Sequence, residues 1–311
     1  MIRALVSIGT NSTRLLILDD GRRLAAESRG TRLGAGIGTT GAIDPAARER
    51  TLAAIDEYVA LCRAHGVETI DAIATSALRR AQDGEAFGAE VAARVGIAPR
   101  VLSGDEEASY SFLGATARHD GTHPVAVLDV GGGSVELAVD VPAHAREAHR
   151  VSRTLSLEIG AVRLSERHRE LLGARALAPG DARAAEAAAR ADAAAVLAPL
   201  RDVRAFDELI AVGGTVFTAA GMLSGGTAYD GVRMSHADRE RLIADLLARD
   251  LDERKRMPYI RPQRADILPA GLIVVDEACA LLGVDAFEVS EADLLQGYLT
   301  SPAFRSVAFA R

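Results

Sequence analysis

Short apolar runs alternate with amphipathic stretches along most of the chain, and this pattern predicts an α/β fold. The first apolar run, residues 4–18, is interrupted by a turn of small polar residues, which is typical of a β-hairpin. In residues 51–66, Leu52 and Ile55 fall on one face of a helix that Gly66 ends. Strands alternating with helices favour helices packed on sheets.

The opening hairpin has a second copy. The stretch "ALVSIGTNSTRLLILDDG" corresponds to "AVLDVGGGSVELAVDV", so that Gly9 aligns with Gly131 and Ser12 with Ser134. Each copy combines a strand, a glycine-containing turn and a second strand. This internal repetition predicts two similar domains, each of which opens with the same hairpin.

A break that contains glycine and proline, residues 121–124, precedes the second copy. We therefore expect an N-terminal domain of residues 1–120 and a C-terminal domain of residues 121–311, whose last helix can pack back on the first domain. Within the second half, Ser235 is a good N-cap for a helix, and residues 265–283 have the pattern of a long apolar helix.

Composition and charge exclude several classes of protein. With 311 residues, of which 49% are apolar, the chain can form two hydrophobic cores. The net charge of −7 argues against a nucleic-acid partner. No apolar run reaches the ~18 residues of a membrane helix, and no secretory signal pattern is present. Cys62 and Cys279 fall in helical patterns and are expected to be buried thiols of a cytoplasmic protein.

Three glycine-containing turns each follow an apolar strand. Glycine lets a backbone approach a ligand closely and point several N–H groups at it. One such turn is usually structural, whereas three in one chain predict an interdomain cleft that binds phosphate from both sides. The candidate phosphate-binding residues are Gly9, Thr10, Asn11, Ser12, Gly131, Gly132, Gly133, Ser134, Gly213, Gly214 and Thr215.

Carboxylates lie near these turns. Asp129 and Glu136 flank the second turn, and paired carboxylates beside a phosphate site favour Mg²⁺ over the alternative that Glu136 is simply a solvated strand residue. Glu106 and Glu107 open a helix, where carboxylates are favoured by capping and by the helix dipole. A glutamate that reached from this helix into the cleft would be a general base.

Arginines near the turns are candidates to bind phosphate through paired N–H donors. Each of them could instead form a surface ion pair. They are Arg79 in "TSALRRA", Arg14, Arg32, Arg163 and Arg264. His119 and His123 have a spacing found in metal sites, but they fall in the expected linker without a carboxylate cluster, so we expect surface residues.

In their order along the chain, these stretches resemble the exopolyphosphatase/guanosine pentaphosphate phosphohydrolase (Ppx/GppA) family. The matching segments span residues 6–297 and include "IGTNSTRLLI", "SGDEEA", "VLDVGGGSVELAV" and "AVGGTVFTAA". The resemblance implies two ribonuclease-H-like domains of the actin-like ATPase, sugar-kinase and Hsp70 superfamily. It also implies release of terminal phosphate from polyphosphate or pppGpp with Mg²⁺ as cofactor.

The resemblance implies roles for individual residues. It makes Glu106 the catalytic glutamate, Asp129 and Glu136 the metal ligands, and Arg79 a phosphate ligand. One departure matters, because Ser7 stands where the family has an aspartate. Losing such a carboxylate near a metal costs about 10–100-fold in affinity or activity.

Three functions stay open at this point. The leading hypothesis is a hydrolase that prefers polyphosphate, since nothing in the sequence resembles a guanine pocket. The second is a protein that binds polyphosphate or (p)ppGpp with little turnover because of Ser7, and the third is a nucleotide-dependent phosphotransferase. A homodimer without a nucleic-acid or membrane partner is the default expectation.

Overall fold

The computed structural model describes residues 1–140, 151–204, 206–226, 228–305 and 307–309, so that the end of the expected second domain, 310–311, lies outside them. The strands are β1 (Ile2–Ile8), β2 (Thr13–Asp19), β3 (Arg22–Arg29), β4 (Thr69–Ala74), β5 (Arg100–Val101), β6 (Val125–Val130), β7 (Val135–Asp140), β8 (Val151–Leu157), β9 (Glu208–Val212), β10 (Arg233–Ser235), β11 (Ala286–Val289) and β12 (Val307–Ala308). The helices are α1 (Ile37–Thr40), α2 (Pro45–Ala64), α3 (Ser76–Arg80), α4 (Gly84–Val95), α5 (Gly104–Ala115), α6 (Ala161–Arg167), α7 (Pro179–Leu197), α8 (Gly214–Ser224), α9 (His236–Leu247), α10 (Leu251–Arg256), α11 (Leu268–Leu282) and α12 (Leu294–Thr300).

The first sheet has the strand order β12-β4-β1-β2-β3, and β5 pairs with the edge of β4. Strands β1 and β2 form an antiparallel hairpin, whereas β1 and β4 run parallel. Helix α2 follows because Asp44 caps its first turn and Pro45 occupies the first helical position. Its buried face, which includes Ile55 and Cys62, packs against the apolar side chains of this sheet.

The second sheet repeats this arrangement with the order β10-β11-β9-β6-β7-β8. The turn of each hairpin is closed in the same way, because Gly9 N–H donates to the Ser12 carbonyl over 3.0 Å and Gly131 N–H donates to the Ser134 carbonyl over 3.0 Å. The predicted α/β fold with two similar ribonuclease-H-like units is therefore confirmed.

The C-terminal part of the chain returns to the first sheet. Helix α12 packs against β1, and Leu295 and Tyr298 join a core with Leu5. Helices α5 and α12 cross at very short range because both carry a glycine there: a Cβ on Gly297 would lie 1.9 Å from the Tyr110 carbonyl oxygen. This crossing holds α5, and the carboxylates at its start, between the two sheets.

The second sheet is covered by α11, the apolar helix expected from the sequence, which packs against α6, α7 and α9. Helix α9 begins at the predicted N-cap, Ser235, which forms a capping box with Asp238. Among the residues that the structure describes, no helix combines the length and apolar character needed to cross a membrane.

Candidate active site in the interdomain cleft

The three predicted turns meet in one cleft between the two sheets. The first two turns face each other in direct contact, since a Cβ on Gly133 would lie 2.5 Å from Thr10 Oγ1 and one on Gly132 would lie 3.2 Å from Asn11 Cβ. A side chain on Gly133 would not fit at this distance, so glycine allows the two turns to approach each other closely. The structure thus brings all three candidate phosphate-binding turns together.

The third turn needs glycine for two separate reasons. Gly213 has a left-handed φ of 105°, and a Cβ there would lie 2.6 Å from the Val130 carbonyl oxygen. A Cβ on Gly214 would lie 2.1 Å from the Arg264 guanidinium, which also donates to Ser12 Oγ over 3.2 Å. Arg264 therefore supplies a positive charge that touches the first and third turns.

Burial, together with repulsion from the nearby Arg14 and Arg261 guanidinium groups, lowers the pKa of Arg264 to about 10. The positive charge is thus held in the cleft at an electrostatic cost that a bound anion would offset. An anionic ligand is therefore the natural occupant of this space.

Asp129 and Glu136 lie directly opposite each other on β6 and β7. Ser111 Oγ donates to Asp129 over 2.6 Å, and Ser156 Oγ donates to Glu136 over 2.9 Å. Burial raises the pKa of Asp129 to about 6, and it raises the pKa of Glu136 well above its usual value, with added repulsion from Glu107. Each of these two carboxyl groups therefore accepts a hydrogen bond from a serine hydroxyl, and together they offer oxygen atoms as ligands.

The corresponding positions of the first hairpin carry Ser7 and Arg14, which are also opposite each other. Ser7 is buried and lines the cleft, in the place that corresponds to Asp129. Arg14 pairs with the buried carboxylate of Asp293 over 2.6 Å. The first hairpin thus presents a neutral hydroxyl and a paired cation where the second presents two acids.

Glu107 lines the cleft from the start of α5 and is only 5% exposed. Arg79 donates to its carboxylate over 2.5 Å and to the Leu102 carbonyl over 2.6 Å. Burial raises the pKa of Glu107 to about 7, although Arg79 opposes the shift. A carboxyl group with this pKa can accept a proton at neutral pH.

Glu106, which the resemblance implies to be catalytic, is not among the residues that line the cleft. Its side chain accepts from the Ser103 N–H over 2.9 Å as part of the capping box of α5, and it pairs with Arg100. Burial opposes ionisation here, but the bonds to Ser103 and the charge of Arg100 lower the pKa of Glu106 overall. An ionised carboxylate already bound on both sides is poorly suited to take a proton.

A groove beside the cleft carries a cluster of arginines. Glu158 pairs with Arg80 over 3.3 Å, lies 3.8 Å from Arg79 and contacts Arg163. Arg163 also donates to Ser76 Oγ over 3.1 Å and so joins the two halves of the molecule. The groove is lined by Gly38, Thr39 and the charged residues Arg79, Arg80, Glu158, Arg163, Glu166 and Arg167.

Sequence patterns did not reveal several side chains that complete the site. Ser111 lies on α5, a turn beyond the glutamates, and Asp293 belongs to the "VSEADLLQG" segment near the C-terminus. The fold alone brings both to the cleft. The pattern Ser103-x-x-Glu106 did carry a usable signal, because a capping box engages its own glutamate and leaves Glu107 outside the cap.

The molecule has two similar α/β units with one cleft between them. The three turns and the cluster of carboxyl groups around this cleft are typical of a protein that binds phosphate groups. Comparison with known proteins agrees, since residues 19–304 match the model of the Ppx/GppA phosphatase family. Exopolyphosphatase 2 of Mycobacterium tuberculosis is 33% identical, over 96% of this chain and 98% of that protein. Guanosine-5'-triphosphate,3'-diphosphate pyrophosphatase of Vibrio atlanticus is 26% identical, over 94% of this chain and 58% of that protein.

The fold comparison gives the same result. The crystal structure of an exopolyphosphatase-like protein superposes with a TM-score of 0.86 and 29% identity, covering 99% of this chain and 100% of that one. The protein described here therefore belongs to the Ppx/GppA phosphatase family, and the prediction made from its motifs is confirmed.

Proposed function

We propose that this protein is an exopolyphosphatase, which releases terminal phosphate from inorganic polyphosphate, and that Glu107 rather than Glu106 is its general base. The observation that carries the proposal is a buried carboxyl with a pKa of about 7, placed in a cleft with three phosphate-type turns. The exopolyphosphatase of Mycobacterium tuberculosis, which aligns over nearly its whole length, supports the same activity.

In the proposed reaction, the turns hold the terminal phosphoryl group through their backbone N–H groups, and Arg264 balances its charge. Glu107 takes a proton from a water molecule as the water oxygen attacks phosphorus. The bond from phosphorus to the bridging oxygen breaks, and the shortened polyphosphate leaves with the electron pair. Catalysis of this kind relies on positioning and on electrostatic stabilisation.

Mg²⁺ is part of the proposal because the donor set suits a hard cation. Asp129, Glu136 and Glu107 offer only oxygen atoms as ligands, and burial is the main cause that raises the pKa of each. Asp129 and Glu136 would hold the ion, which would offset negative charge on the phosphoryl group. Ser7 supplies no charge, so we expect weaker metal binding than in a site with a carboxylate there.

The arginine groove favours polyphosphate over a nucleotide. Its four arginines outnumber Glu158 and Glu166, and Arg79 joins the groove to Glu107, so a linear chain of phosphates could continue from the cleft along it. The alternative substrate, pppGpp, is favoured by the relative from Vibrio atlanticus. Binding with little turnover is the outcome expected if Ser7 disables the site. A cytoplasmic homodimer remains our expectation for the assembly.

A phosphate-release assay with Mg²⁺ tests the function. Polyphosphate, pppGpp and ATP are compared at equal concentrations of terminal phosphate, with pyrophosphate as a control for chain length. We expect the highest kcat/KM on polyphosphate. Faster turnover of pppGpp would establish the alternative, ATP formation from polyphosphate and ADP would indicate a phosphotransferase, and binding without phosphate release would indicate a sensor.

A further inference from the structure

Two histidines and a glutamate lie close together at the edge of the second sheet where β6 and β9 begin, opposite the cleft. His119 and His123 lie in the loop between α5 and β6, and Glu208 begins β9. We propose that these three side chains bind a divalent transition metal of the zinc type. The site is separate from the proposed catalytic function.

The three ligand atoms form a compact triangle. His119 Nε2 lies 3.3 Å from His123 Nε2 and 3.4 Å from Glu208 Oε2, and His123 Nε2 lies 2.9 Å from the same oxygen. In a tetrahedral site with metal–ligand bonds of about 2.0–2.1 Å, neighbouring ligand atoms are about 3.4 Å apart. The observed spacings are close to those of three corners of such a tetrahedron.

Hydrogen bonds around His123 orient its ring for this role. Thr122 Oγ1 donates to Asp120 Oδ1 over 2.7 Å, and the same oxygen accepts from the Thr122 N–H over 3.0 Å. Thr122 Oγ1 can then only accept from His123 Nδ1, which lies 3.1 Å away. With a proton on Nδ1, a neutral His123 ring has a lone pair on Nε2, and this lone pair faces the Glu208 carboxylate. Because the two groups would repel each other, either a second proton or a metal ion must lie between the nitrogen and the oxygen.

His119 has a comparable partner for the metal-bound state. Its Nδ1 accepts from the Gly121 N–H over 3.1 Å, and Asp120 Oδ1 lies 3.9 Å from the same nitrogen. A metal on Nε2 would place the ring proton on Nδ1 in place of the bond from Gly121, and Asp120 would be the carboxylate that accepts a hydrogen bond from it. A carboxylate behind a metal-bound histidine is a common supporting arrangement.

The position of the site suggests what the metal does. Its histidines lie just before β6 and its glutamate opens β9, at the ends of these parallel strands opposite the phosphate turns. A metal there ties the loop that follows α5 to the second sheet without touching the cleft. We therefore expect it to stabilise the fold and to leave turnover almost unchanged.

Titration of the full chain, stripped of metal by chelator, with ZnCl₂ and separately with CoCl₂ in excess Mg²⁺ tests the inference. We expect one Zn²⁺ per chain with a micromolar or lower Kd, visible absorption typical of tetrahedral Co²⁺, and a higher Tm with Zn²⁺. Glu208→Gln and His123→Ala should each weaken binding at least tenfold. His236→Ala is the matched control, since His236 faces Asp276, which Arg239 and Arg190 already bind.

The inference fails if Zn²⁺ does not bind, or if binding survives both substitutions unchanged. It also fails if His236→Ala weakens binding as much as they do. The cluster would then be a hydrogen-bonded network in which both histidines donate to Glu208. If His123→Ala does not fold, the surface variant Glu208→Gln decides alone, because its amide keeps the shape of the carboxylate.

Discussion

Replacing Arg79 with methionine should move the acidic limb of the pH–rate profile upward. Arg79 donates to the ionised Glu107 over 2.5 Å, in a setting where burial already raises the pKa of Glu107 to about 7. A general base works when it is deprotonated, so the rate rises as pH increases through this pKa. Without Arg79 the ionised form loses its partner, and the pKa rises further.

The size of the shift follows from the contact. A hydrogen bond between charged groups contributes about 1.5–3 kcal/mol, which corresponds to about 1–2 pH units. Because Glu107 interacts with Asp129 and Glu136, the acidic limb of the pH–rate profile reflects the titration of all three carboxyl groups together, not of Glu107 alone. The measurement is kcat/KM for polyphosphate against pH with saturating Mg²⁺, for the unmodified protein and for Arg79→Met.

Arg80→Met is the matched control for this prediction. Arg80 is the next residue and pairs with Glu158, as Arg79 does at longer range, but it makes no contact with Glu107 among those the structure describes. We expect Arg80→Met to affect KM without moving the limb. The reasoning is refuted if Arg79→Met leaves the limb in place, or if both variants move it equally.

Three further predictions concern the cleft and its support. Ser7→Asp should raise kcat/KM by about 10–100-fold, because it restores a carboxylate beside the metal site; phosphate release at varied Mg²⁺ measures it. Gly214→Ala should raise KM at least tenfold, because its Cβ would lie 2.1 Å from the Arg264 guanidinium. Asp71→Asn should lower the free energy of unfolding in urea by about 2–3 kcal/mol, because Asp71 is fully buried and binds Arg305 over 2.9 Å.

Controls separate these effects from general damage. Ser7→Asn adds a similar volume without charge, and an equal gain in activity would contradict the metal explanation. Gly38→Ala meets no atom within 4 Å, so its KM should not change. Asp56→Asn removes an exposed pair with Arg94 and should change the unfolding free energy by less than about 1 kcal/mol; a loss equal to that of Asp71→Asn would contradict the burial argument.

The fold and the turns could be predicted from the sequence because their signals are local. A strand, a turn of small residues and a second strand are adjacent in the chain, and the repeat of Gly9–Ser12 as Gly131–Ser134 doubled that signal. Periodicity likewise indicated α11, since an apolar helix needs no distant partner to be recognised.

The parts that could not be predicted depend on long-range placement or on rotation about a helix. Adjacent glutamates point in different directions around a helix; the capping pattern indicates that Glu106 is engaged by the helix start, but not that Glu107 reaches the cleft. Glu208 is far in sequence from His119 and His123, which is why these histidines seemed to lack a carboxylate. Only the pairing of β9 with β6 brings it to them.

The most direct test of the central claim compares Glu107→Gln with Glu106→Gln. If Glu107 is the base, Glu107→Gln should lower kcat for polyphosphate by about 10²–10⁴-fold while the protein still folds and binds the substrate. Glu106→Gln should retain most of the activity, because that side chain lies outside the cleft. Loss of activity in Glu106→Gln together with an active Glu107→Gln would contradict the account.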